Sequence, residues 1–80
     1  MAETWGQMIR RSRDNLHLTQ AQAASMAGVD VRTWKRWEAG ACIPRQTETS
    51  AVIAALHLPR SIAWDARQTS LVSMQTNARN

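Results

Sequence analysis

The sequence contains no phenylalanine and no tyrosine, so every large apolar side chain is aliphatic or indole. Its four aromatics are all tryptophans, Trp5, Trp34, Trp37 and Trp64, and these must supply much of the bulk of a core. There is one cysteine, Cys42, which rules out an internal disulfide framework and suits a reducing compartment. No apolar run approaches the ~20 residues that span a bilayer. The opening Met-Ala-Glu-Thr-Trp also lacks the basic-then-apolar layout of a secretory signal. A cytoplasmic protein with no membrane partner is expected. Glycine-rich phosphate loops are missing, and His17 and His57 stand alone without a Cys/His cluster. Neither metal, cofactor nor enzymatic activity is expected.

What is present is basic. Nine Arg and one Lys against six acids give a net charge of +4, which fits a polyanionic partner without selecting nucleic acid on its own. Eighty residues allow a single domain. A chain of this size buries only about 60% of its unfolded surface, so the core will be thin.

Every periodic segment reads as helix, and five short helices predict an all-α, single compact domain. Trp5, Ile9, Arg13 and Leu16 recur at three- and four-residue steps behind a Thr4/Gln7 capping box, with the helix ending near Asn15. A second box, Thr19/Gln22, opens a helix from Gln20 to Met26. Gly28 then permits a sharp turn, and Asp30 caps a third helix that ends near Glu38 before Ala39-Gly40. Asp30 is expected to act as this cap rather than as a reader of cytosine. The spacing predicts a fourth helix over Thr47 to Leu56, burying Val52, Ile53 and Leu56. A short fifth, starting at Pro59 or Ser61, carries Ile62, Ala63 and Trp64. The domain is placed at 1–67. The segment 68–80 turns polar and is expected to be a tail or a self-association arm.

The informative stretch is Leu18 to Gly40, LTQAQAASMAGVDVRTWKRWEAG. Two helices of seven or eight residues joined by so short a turn must cross steeply, at about 90–120°. That crossing needs a small residue where they approach, supplied by Ala24, and a glycine in the turn, supplied by Gly28. It also needs apolar groups at Ala23, Ala27, Val29, Trp34 and Trp37. The alanines are small for these places and the indoles large, an exchange that conserves core volume. Trp34 and Trp37 therefore belong in the core rather than on a base-stacking platform. Val31, Trp34 and Glu38 share one stripe of the third helix, and Val31 is expected to be too exposed for the core. Arg32 and Arg36, four apart, take the outward face with Lys35 beside them. Arg45, just before the fourth helix, is placed for a phosphate or the minor groove.

This segment resembles the helix-turn-helix of the Cro/C1-type, or XRE, family of phage and bacterial regulators, and the similarity runs from Trp5 to about Trp64. The resemblance implies a lambda-repressor-like fold and double-stranded DNA as partner, entered through the major groove. It assigns base reading to Val31, Arg32, Lys35 and Arg36. Gln20 falls where the family contacts phosphate and sometimes buttresses the recognition helix. Arg13 and Glu38 fall where similar proteins form an internal salt bridge. Ser12, Gln46 and Thr49 depart from the pattern, standing where such proteins usually bury leucine.

A transcriptional regulator is the expected function: a repressor that binds a palindromic operator as a homodimer, cytoplasmic and nucleoid-associated. Ile62, Trp64, Leu71, Val72 and Met74 are the candidate dimer contacts. With no second domain in view, control would come from concentration, degradation or a partner protein. Two alternatives stand beside this. An antitoxin would use the segment from Gln68 to Asn80 to hold a toxin. A protein-interaction adaptor on the same fold should lose the Arg32, Lys35 and Arg36 set, which this chain keeps.

Overall fold

A computed structural model describes residues 3–79, with side chains through residue 73. Five helices follow one another: α1 (Trp5–Asn15), α2 (Gln20–Ala27), α3 (Val31–Glu38), α4 (Gln46–Leu56) and α5 (Arg60–Arg79). No strand occurs among the described residues, and the fold is all-α.

Local chemistry sets the helix starts. The Thr4 hydroxyl accepts from the Gln7 N–H at 3.3 Å while the Thr4 N–H donates to Gln7 Oε1 at 3.0 Å. Thr19 and Gln22 repeat the arrangement at 3.1 and 2.8 Å, so each helix has two otherwise orphan amides satisfied. Asp30 caps α3 through Oδ1, which accepts from the Arg32 N–H at 3.0 Å. Gly28, with φ of +74°, closes α2 in the left-handed region and turns the chain toward α3. His17 and His57 also sit at positive φ, 56° and 54°, where they end α1 and α4.

The core is drawn from all five helices: Trp5, Met8 and Ile9, then Ala23, Ala24 and Ala27, Trp34 and Trp37, Val52 and Leu56, and Ala63 and Ala66. Trp37 lies at its centre. Its ring meets Trp5 edge-on at 5.9 Å between centroids and Trp34 at 5.7 Å with the planes tilted by 57°. Such pairs contribute about 0.5–1.5 kcal/mol each beyond the area they bury. Room for three indoles comes from the small residues around them. Gly6 is buried in α1, where an added Cβ would collide with the Trp37 carbonyl oxygen and lie 3.1 Å from that of Glu38. Backbone therefore meets backbone where α1 crosses the end of α3.

The positions that depart from the leucine pattern are accommodated individually. Thr49 is fully buried, with its hydroxyl donating to the Arg45 carbonyl at 2.9 Å in the preceding turn. Ser12 is buried on α1, whereas Gln46 is exposed at the first turn of α4.

The largest difference from the sequence expectation is α5. In place of a short fifth helix, one helix of 20 residues runs through Arg67 and Gln68 without a break. It is tied to the domain by a hydrogen bond from the Trp5 backbone N–H to Ser70 Oγ at 2.8 Å. Its inward residues are Ala63 and Ala66, while Ile62 is exposed and Trp64 half-buried under Arg67, whose guanidinium sits 5.6 Å from the ring centroid. Met74 and Asn80 lie outside the residues whose side chains are described.

Candidate nucleic-acid interface

α3 has two faces with opposite chemistry. Trp34 and Trp37, at 0% and 1% exposure, fix its inner face and hence its rotation. The outer face is then obligatory. Arg32, Lys35 and Arg36 are exposed, and they share one open concave surface with Asp30, Val31, Ala39 and Ala41. Four of the sequence-derived site residues, Val31, Arg32, Lys35 and Arg36, are thereby brought together. Val31 is half-buried rather than merely exposed: it packs against the edge of the core while lining the outer surface.

The far end of α3 is locked by a carboxylate. Arg13 on α1 donates from Nε to Glu38 Oε2 at 2.8 Å and from Nη2 to Oε1 at 3.2 Å. Gln20 Nε2, from the first turn of α2, donates to Oε1 at 3.2 Å, and the Trp34 indole N–H donates to Oε2. Arg13 also donates from Nη1 to the Leu18 carbonyl at 3.0 Å, which joins the α1–α2 connection to the same knot. Three helices thus converge on one acid whose side chain is 7% exposed. Burial pushes the Glu38 carboxyl up, but hydrogen bonds from Arg13, Trp34 and Gln20, with the Arg13 charge, outweigh it and hold the group below its ordinary value. The Glu38 contact in turn raises Arg13 above its ordinary value.

Gln20 is accordingly engaged within the protein through its amide nitrogen, half-buried at the first turn of α2. Arg45 belongs to neither group. It precedes α4, its N–H donates to Glu48 Oε1 at 2.8 Å, and its side chain is exposed.

Residues 6–62 match the family model described as a helix-turn-helix domain. The chain belongs to the helix-turn-helix domain family. No curated protein and no solved structure matches it. Helix-turn-helix domains are typically non-enzymatic, and membership suggests DNA binding. Among the described residues, no group of three His, Cys, Asp or Glu could hold a metal ion, and no helix is long and apolar enough to cross a membrane.

Three features of this helix-turn-helix had a faint sequence signal or none. Trp34 and Glu38 are four apart on α3, a spacing at which side chains meet, but only the structure gives the indole N–H its acceptor. Ala39 and Ala41 complete the concave face although they lie beyond the helix. Gly6 sits inside a helical pattern, where its packing reason depends on a helix thirty residues away.

Proposed function

We propose that this chain is a sequence-specific, double-stranded DNA-binding transcriptional regulator, a repressor that binds a palindromic operator as a homodimer with α3 in the major groove. The observation that carries this is the outward set of Arg32, Lys35 and Arg36 on a helix whose inner face and C-terminal end are fixed by buried indoles and by Glu38. A preformed cationic face of this kind presents donors to base edges without ordering a loop first. Val31, Arg32, Lys35 and Arg36 contact bases, and Gln20 and Arg45 contact backbone phosphate; the first group specifies sequence, the second positions the protein.

One helix reads too few base pairs to select a site against about a million genomic competitors, so two-fold assembly is required. Half-sites then lie about one helical turn, ~34 Å, apart. The exposed Ile62 on α5, with Trp64 and Leu71 half-buried on the same helix, supplies apolar surface for that contact. Val72 extends it. Repression needs no second activity, because a dimer on promoter DNA occludes it. The compartment is that of the DNA, the cytoplasm and its nucleoid.

The test is the salt dependence of duplex binding by the full chain. If about six phosphates are neutralised per dimer, log affinity falls against log salt with a slope of about −5. Binding that is flat between low and physiological salt contradicts the proposal.

A further inference from the structure

The outer face of α3 can be sorted by what its side chains donate and accept. Arg32 and Arg36 each carry a fork of N–H donors and Lys35 an ammonium, and none of the three can accept. Val31, Ala39 and Ala41 add methyl groups to the same concave surface. Among the described residues, the one side-chain acceptor lining this surface is Asp30, at its N-terminal edge, where Oδ1 accepts from the Arg32 N–H at 3.0 Å as the helix cap. Among the described residues, no Asn or Gln lines this surface.

The four bases differ in what they offer on the major-groove edge. Guanine presents two adjacent acceptors, N7 and O6. Thymine presents one acceptor, O4, beside a methyl group. Adenine pairs its N7 acceptor with an N6 donor, which calls for Asn or Gln. Cytosine offers only the N4 donor, which calls for a free carboxylate. Away from Asp30, a surface of donors and methyls is complementary to the first two bases and mismatched to the last two.

From this complementarity we infer that α3 reads guanine edges, one facing Arg32 and one facing Arg36, with a thymine methyl packed against Val31. Four residues of helix advance about 6 Å, close to two base steps of 3.4 Å, so the two guanines lie within about two steps of each other. Lys35, between them on the helix, takes a further guanine or a thymine O4. The inference rests on the DNA-binding role proposed above and specifies which duplexes fill it.

Selection of bound duplexes from a random pool with the full-length chain, followed by base-analogue substitution in a selected duplex, tests it. The selected half-site is expected to contain at least two guanines within about two steps and an adjoining thymine. Replacing those guanines with 7-deazaguanine, which lacks only the N7 acceptor, weakens binding about tenfold, and uracil for thymine weakens it about two- to threefold. The same 7-deaza change at adenines of the site leaves affinity within about twofold. A half-site that tolerates 7-deazaguanine within about twofold, or that is weakened only by the 7-deaza change at adenines, overturns the inference while leaving DNA binding intact. A pool from which no duplex is enriched overturns both.

Discussion

Arg13 and Glu38, 25 residues apart in the chain, meet through two hydrogen bonds that join α1 to the end of α3. The pair is worth more as a positional lock than as a source of net stability, because desolvating two charges offsets much of their attraction. Removing one partner is a different matter, since it strands the other. Arg13→Ala and Glu38→Ala are each expected to lower stability by about 1–3 kcal/mol. The double variant should lose less than the sum, with a coupling of at least about 0.5 kcal/mol in a denaturant-melt cycle. Strict additivity would show that the side chains do not meet in solution.

The same carboxylate gives a pH signature. Its folded value is lowered from an ordinary 4.5. The stability it contributes is therefore fully present above pH 4.5 and is lost as pH falls through the lowered folded value. The stability gap between the parent and Glu38→Gln should be constant at neutral pH and shrink in that acid window. A gap independent of pH down to about 3 would mean Glu38 has no stabilised charge.

Gly6 gives a prediction opposite to helix propensity. Alanine is favoured over glycine in a helix interior by about 1 kcal/mol. Here the added Cβ meets the backbone carbonyl of Trp37, which cannot yield as a side-chain tip would. Gly6→Ala is expected to destabilise by about 1–3 kcal/mol, read from the midpoint of thermal or urea unfolding. An increase in stability would show that α1 and α3 do not approach so closely.

His57 closes α4 with a φ of 54°, a conformation that an L-residue pays for and glycine does not. His57→Gly should raise stability by up to about 1 kcal/mol, the helix-end gain being partly offset by the freer unfolded chain. A loss beyond 0.5 kcal/mol in the same melt would assign the imidazole a contact of its own.

The helix-turn-helix was legible in the sequence because its constraints are local. Thr4/Gln7, Thr19/Gln22, Asp30 and Gly28 act within a few residues of themselves, and the structure has each in that role. The outward placement of Arg32, Lys35 and Arg36 followed from the burial of Trp34 and Trp37, which the volume balance with Ala23 and Ala27 already required. What stayed hidden depends on distant partners. The length of α5 hinges on packing of Ala63 and Ala66 and on Ser70 meeting the start of α1, none of which a polar composition announces. Thr49 stands at a position the resemblance marks as buried, but only the structure supplies the Arg45 carbonyl that satisfies its hydroxyl there.

α5 also changes how assembly is tested. Cutting the chain after Arg67 would remove Ser70 and with it a tie to α1, so loss of operator binding would not distinguish folding from dimerisation. Ile62→Lys keeps that tie. It is expected to leave the melt nearly unchanged and to abolish cooperative occupancy of a two-half-site duplex, measured by titration against a single half-site. Undiminished cooperativity would show that Ile62 takes no part in the proposed assembly.

The most direct test of the central claim compares four alanine variants, at Arg32, Arg36, Gln20 and Arg45, against a panel of single-base changes in a selected duplex. Arg32→Ala and Arg36→Ala should each relax preference at particular positions, forfeiting about 1–3 kcal/mol of discrimination there. Gln20→Ala and Arg45→Ala should weaken binding to every duplex about equally. If Arg32→Ala and Arg36→Ala retain full base preference, the outer face of α3 does not read DNA.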